Sequence, residues 1–312
     1  MKPAWLGLLG FLVLCGLPAR AGVYYVTVAG LGGEPDYEQR FTGLAKDLDK
    51  LLKSSGADAH VYTLFGEQAS KAHLTETMQT VAKEAKPEDD FVLILIGHGS
   101  FDGVEYKFNI PGPDISAAEL AALCDHVASK RQLIVNTTSA SGGSIPVLQR
   151  PGRGVIAGTK SGTEKNATVF ARYWVDALRD PTADVNKDDA ISALEAYQFA
   201  ARKTAEFYDS QKRLATEHPV FEDAGKAEAV REPSTGTGEG LLVSGFTIVR
   251  IGDAQKAAAD PAKRDLLAKK EELERKVDTL KYQKAAMSED QYKKELTDAL
   301  VELARIQEDL DK

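Results

Sequence analysis

The stretch FVLILIGHGS, residues 91–100, sets six apolar residues in a row before Gly97, His98, Gly99 and Ser100. A run this short and this uniformly apolar predicts a strand buried on both faces. The stretches VYYVTVAG (23–30), AHVYTLFG (59–66), QLIVN (132–136) and RGVIAGT (153–159) read the same way. Between the strands, DYEQRFTGLAKDLDKLLKSS, HLTETMQTVAKEA and NATVFARYWVDALRD carry helical spacing. Apolar strands alternating with helices predict an α/β fold, a mostly parallel sheet between two helical layers.

The remaining segments fill in that frame. VEYKFNI (104–110) alternates Val104, Tyr106, Phe108 and Ile110, which predicts an exposed hairpin arm. Ser116 and Glu119 have the spacing of a capping box. In the helix that follows, Leu120, Leu123, Cys124 and Val127 form a buried stripe, so Cys124 is expected in the core. Residues 216–240 are rich in Gly, Pro, Ser and Thr and read as an irregular surface loop; LLVSGFTIVRI (241–251) reads as a last strand. These elements make one domain over 22–252. From 257 to 312 the chain is rich in Lys, Glu and Leu at helical spacing, with Ser288 and Gln291 between two helices. That pattern predicts a helical hairpin or coiled coil, either closing the domain or serving self-association.

Of the 312 residues, 43% are apolar and 28% charged, ordinary for a globular protein with a sizeable core. The net charge of −8 and the lack of any basic run argue against a nucleic-acid partner. Residues 1–21 have Lys2, an apolar run and ARA before Gly22, the layout of a secretory signal peptide cut after Ala21. The run is short for a membrane anchor. The reading is therefore an exported protein, with no membrane contact after cleavage. Cys124 is then its one cysteine, and one cysteine makes no internal disulfide.

In a parallel sheet, functional groups gather beyond the carboxyl ends of the strands. Two ends here carry them. His98 follows one strand and is suited to general-base work near neutral pH, with the Gly99 N–H available to an oxyanion. LIVNTTSASGG (133–143) ends the next strand in hydroxyls and glycines, a sharp tip able to present a nucleophile. A histidine between glycines is equally a hydrogen-bonded turn residue.

FVLILIGHGS, VNTTSASGG and GVIAGTKSGTEKNATVFARYWVDAL, in this order, resemble the legumain-like cysteine peptidases, relatives of the caspases. The resemblance spans residues 23 to 225 and implies the caspase-like three-layer fold. It implies that His98 and Gly99 stand at the catalytic histidine and that Ser139 stands where the family has its cysteine. Lys160, Ser161 and Glu164 would then line the pocket for the residue before the scissile bond. A thiol is readily drawn to thiolate by a neighbouring histidine, whereas a serine hydroxyl needs an oriented base. Asp102, Glu105 and Asp125 are the acids near enough in sequence to consider for that orientation. Three readings stay open: a degenerate peptidase that binds peptides or proteins, a serine hydrolase using Ser139 with His98, or a scaffold on a borrowed fold.

DVNKDDAISALE (184–195) has the spacing of an EF-hand calcium loop. Asp184, Asn186 and Asp188 fall at positions one, three and five, the Ala190 carbonyl at seven, Ser192 at nine and Glu195 at twelve. Asp189 replaces the usual glycine at six. The bland alternative is a polar turn capping the next helix.

Overall fold

The computed structural model describes residues 21–56, 58–234 and 236–312. Residues 1–20 of the expected export signal lie outside these. The chain runs β1 (Val23–Ala29), α1 (Pro35–Ser54), β2 (Ala59–Leu64), α2 (Lys71–Glu84), β3 (Asp90–Ile96), β4 (Gly99–Phe101), β5 (Tyr106–Phe108), β6 (Ile115–Ser116), α3 (Ala117–Asp125), β7 (Arg131–Asn136) and α4 (Ile145–Leu148). It continues with β8 (Arg153–Ala157), α5 (Phe170–Ala177), β9 (Ala190–Ser192), α6 (Ala193–Ser210), β10 (Val220–Glu222), α7 (Leu241–Ser244), β11 (Thr247–Arg250), α8 (Gly252–Ala259), α9 (Arg264–Gln283) and α10 (Glu289–Leu310).

The main sheet has the order β10-β8-β7-β3-β1-β2. Every pairing in it is parallel except the edge pair β10–β8. Successive side chains leave a strand on opposite faces. Tyr25, Val92, Ile94, Val135 and Ile156 therefore pack in one layer with α1, α5 and α6. Tyr24, Val26, Leu93, Leu95 and Ile134 pack in the other with α2, α3 and the β5 arm. Because both faces are covered, β1, β3, β7 and β8 show no polar alternation, as read from the sequence, whereas β2, at the sheet edge, is buried only at Leu64. The chain places β2 on one side of β1 and β3 on the other, so the strand order reverses between β1 and β3. Such a reversal opens a crevice at the carboxyl ends of these strands.

Several local expectations change. The 104–110 arm is not exposed: Tyr106, Phe108 and Ile110 are fully buried, and only Val104 is free, 90% exposed. This arm lies over the β1/β3 crevice. A Cβ on Gly30 would collide with the Asn109 carbonyl and stand 2.8 Å from the Phe108 ring. Residues 216–240 are not wholly irregular, since β10 closes the sheet edge with Val220 and Phe221 buried. Residues 241–251 are not one strand. Leu241–Ser244 turn into α7 because the buried Asp223 carboxylate accepts the N–H groups of Gly240, Leu242 and Val243. Only Thr247–Arg250 extend, pairing with β9 apart from the main sheet.

Other expectations hold. Both halves of the Ser116–Glu119 capping box form. Cys124 is buried, and burial pushes its thiol up to about 12, which keeps it protonated and inert. The hairpin of α9 and α10 is present. Arg250 grips Glu271 of α9 with two bonds of 2.6 and 2.8 Å. Tyr282 donates to the Glu239 carbonyl at 3.0 Å.

The start of α5 depends on a distant carboxylate. Glu217 accepts the N–H groups of Val169 and Phe170 at 2.7 and 3.1 Å, and the Tyr208 hydroxyl at 2.9 Å. Burial pushes its carboxyl up to about 7, although these donors pull the other way. The folded protein thus holds a proton that the unfolded chain releases above about 4.5. The stability tied to that proton is complete below pH ~4.5 and falls away as the pH rises towards ~7, by on the order of 2–3 kcal/mol. Urea unfolding across this range should show the decline in the natural protein and a flatter profile in Glu217→Gln. Parallel profiles would contradict the assignment.

Candidate active site

Strand β3 delivers His98 and strand β7 delivers Ser139, one strand apart in the sheet. The His98 ring is half-buried and turned towards α1. It meets the rings of Tyr37 and Phe41 edge-on, at centroid distances of 4.9 and 5.1 Å. It also hydrogen-bonds the backbone of Gly32 in the turn after β1. Burial lowers the His98 pKa, and the Gly32 bond opposes that effect. The imidazole is neutral at neutral pH, in the crevice beneath the β5 arm.

Ser139 is buried, 2% exposed. Its hydroxyl accepts from the Gly99 N–H at 3.1 Å and donates to the Gly99 carbonyl at 3.2 Å. One side chain thereby satisfies both polar groups of the residue after His98. The Gly99 N–H, expected to face an oxyanion, is spent on this contact. The two turns press together so closely that a Cβ on Gly99 would lie 2.5 Å from the Ser139 carbonyl. Among the described residues no hydrogen bond joins His98 to Ser139.

The rest of the β7 tip is a closed hydroxyl network. Thr137 donates to the Leu95 carbonyl at 2.7 Å. Thr138 Oγ1 lies 2.6 Å from the Tyr106 hydroxyl and donates to Asn136 Oδ1 at 2.8 Å. Asn136 donates to Ser144, and Ser144 to the Ser141 carbonyl. Ser141 and Thr159 share a contact of 3.1 Å, and Thr159 Oγ1 accepts the Gly142 N–H at 2.9 Å. Small hydroxyls thus replace water as partners for a buried turn, which Ala140 bends with a φ of 55°. The Ala140 N–H is taken by the Glu164 carbonyl at 2.7 Å.

None of the nearby acids orients His98. Asp102 accepts the Val104 and Glu105 N–H groups within its own turn. Glu105 pairs with Lys107 at 3.2 Å, and Asp125 with Arg150 and Arg153 at 2.9 and 2.7 Å.

The 160–164 loop is brought against the same tip, but little of it is free. Glu164 accepts the Lys160 and His218 N–H groups on one oxygen and meets His218 Nδ1 at 2.5 Å on the other. Ser161 pairs with Thr163 at 2.7 Å. Lys160 keeps a 52% exposed side chain, 3.8 Å from Glu164. Phe101 fills the space between loop and tip. A Cβ on Gly162 would run into its ring, and one on Gly143 would lie 2.9 Å from it. Neither glycine has positive φ, so both are needed for space rather than conformation. His218 also lines a cleft of about 540 Å³ beside α6, with Tyr197, Ala201, Glu217 and Arg231. The sequence did not point to Phe101, and it named Tyr106 and Glu164 without their partners Thr138 and His218. Gly162, in the Ser161–Glu164 turn, was the signal of a close approach.

The 184–195 loop has the backbone of a cation loop, with φ of 63° at Lys187 and 65° at Asp189, positions four and six. Its oxygens suit a hard cation by type. They are engaged within the loop: Asp184 accepts the Lys187 and Asp189 N–H groups, and Asp188 that of Ala190. Glu195 accepts the Val185 and Asn186 N–H groups on one oxygen, and the Ser192 N–H and hydroxyl on the other. Among the described residues no group of three or more His, Cys, Asp or Glu stands ready for a metal ion. A calcium ion here would take Glu195 away from these donors.

No family model matches the chain, and no curated protein matches it. Among solved structures it is similar to a protein of Geobacter sulfurreducens, with a TM-score of 0.47, 13% identity, and coverage of 75% of this chain and 100% of that one. It is similar to the Drosophila initiator caspase Dronc, with a TM-score of 0.41, 13% identity, and coverage of 72% and 84%. A third is caspase-1 from Spodoptera frugiperda, with a TM-score of 0.44, 14% identity, and coverage of 65% and 86%.

If the Ser139 hydroxyl is a structural tie, its removal takes the partner from two part-buried backbone groups of Gly99. Ser139→Ala should then lower unfolding stability by about 1 kcal/mol in chemical denaturation. A change of under ~0.5 kcal/mol would mean that the hydroxyl is free for other work.

Proposed function

We propose that this chain is an exported, catalytically silent relative of the legumain and caspase peptidases that acts by binding peptide or protein. The observation that carries the reading is the double bond of Ser139 Oγ to the Gly99 N–H and carbonyl. With that hydroxyl tied to backbone and His98 turned to Tyr37 and Phe41, nucleophile and base do not address one another. A serine protonated at neutral pH needs that address to react at all. At the rim the Lys160 ammonium, 52% exposed, stands 3.8 Å from the Glu164 carboxylate, so the rim carries both signs and selects neither an acidic nor a basic partner. Export rests on the layout of residues 1–21. Among the described residues no helix is long and apolar enough to cross a membrane.

A mixed fluorogenic peptide library, incubated with the natural protein, Ser139→Cys and His98→Ala, should give no cleavage by any of the three. Cleavage by the natural protein that His98→Ala abolishes would establish a working serine–histidine pair. Cleavage by Ser139→Cys alone would overturn the closed turn while leaving the natural protein silent.

A calcium ion in the 184–195 loop belongs to the same reading, as a clamp on the start of α6. The loop is already folded by its own hydrogen bonds, so the expected effect is a modest rise in Tm with calcium. The rise should vanish in Asp184→Ala. Identical melting curves with calcium and with a chelator would remove the ion from the account.

A further inference from the structure

Helix α9 is fastened to the body by Arg250 and Tyr282, and α10 packs on α9 as the outer layer. The inner side of α10 repeats Tyr292, Leu296, Ala299, Leu303, Ile306 and Leu310 at alternating steps of four and three, a coiled-coil seam against α9. Its opposite side carries a second, exposed apolar stripe. Thr297, Leu300, Val301 and Ala304 lie there exposed, Leu300 at 49% and Val301 at 46%. Lys293 borders the stripe at one end and Glu308 at the other.

We infer that this outer face binds a second copy of the same chain, with the two α10 helices antiparallel. The stripe is self-complementary about a two-fold axis placed between Leu300 and Val301. In that arrangement Leu300 opposes Val301 of the second copy, and Thr297 opposes Ala304. Lys293 falls opposite Glu308, and the symmetry makes that ion pair twice. A parallel pairing would set Lys293 against Lys293 and Glu308 against Glu308. Lys293 meets only Glu289 of its own helix, at 2.6 Å with both side chains largely exposed. Glu308 has no ion-pair partner among the described residues. At the outer ends Asp290 opposes Asp311, with Glu289 and Lys312 beside them, so the attraction is concentrated in roughly the middle four turns. A helix of 22 residues is about 33 Å long, and the apolar part covers about two turns. A contact of this size makes a reversible dimer rather than an obligate one. The inference is independent of the reading of the Ser139 turn.

Light scattering on the purified protein over a concentration series, with circular dichroism to confirm folding, tests it. The natural protein should move from the mass of one chain towards twice that mass as concentration rises. Val301→Glu, at an exposed position, should stay folded and remain a single chain. Lys293→Glu should weaken association by about 5-fold, and adding Glu308→Lys to it should restore the natural strength. A natural protein that stays monomeric throughout, a dimer indifferent to Val301→Glu, or a double variant no better than Lys293→Glu alone would each overturn the proposal.

Discussion

The Ser139 hydroxyl joins two strand ends by accepting from and donating to a single residue, Gly99. That contact ties the tip of β7 to the tip of β3 at the carboxyl edge of the sheet, where a parallel fold would otherwise be open. The β4–β5 arm lies against it and fills the β1/β3 crevice with Phe108, and Tyr106 anchors Thr138. The 160–164 loop then closes on the other side, held by Phe101 and by the Ala140–Glu164 bond. Each piece is placed by the one before it. The glycines at 30, 99 and 142 are where backbones approach too closely for a side chain, and Gly162 leaves room for the Phe101 ring.

The chemistry of serine explains why this arrangement suits it. A hydroxyl is at once a good donor and a good acceptor, so it can satisfy an N–H and a carbonyl together. A thiol is weak in both roles. At position 139 a cysteine would be the poorer tie between these two strand ends. His98 is half-buried and packed edge-on against Tyr37 and Phe41, and burial lowers its pKa.

Much of the scaffold was legible in the sequence, because burial on both faces leaves uninterrupted apolar strands and helix starts leave capping signals. β1, β3, β7 and β8, and the helices α1, α2 and α3, follow from those patterns alone. β10 and α7 did not, because their determinants are remote. Val220 and Phe221 become a strand only against β8, and Leu241–Ser244 a helix only under the Asp223 carboxylate. The 104–110 arm was read with its alternation but with the wrong side of it dominant, since nothing local says which face meets a core. At the site, the residue types at 98 and 139 were readable, but their directions were not. The turn of His98 towards Tyr37 and the partners of Ser139 depend on contacts 40 or more residues apart in sequence.

The central claim is that position 139 is a tie facing backbone and not a nucleophile facing His98. Its most direct test is the alkylation rate of the thiol introduced by Ser139→Cys, followed from pH 5 to 10. The unfolded variant, in which the introduced thiol and Cys124 react together, serves as the reference. A thiol tied to Gly99 and shielded from His98 should react slowly and titrate above the ordinary value of about 8.5. Fast alkylation with a midpoint well below that value would show a thiolate held by His98, and would contradict the account.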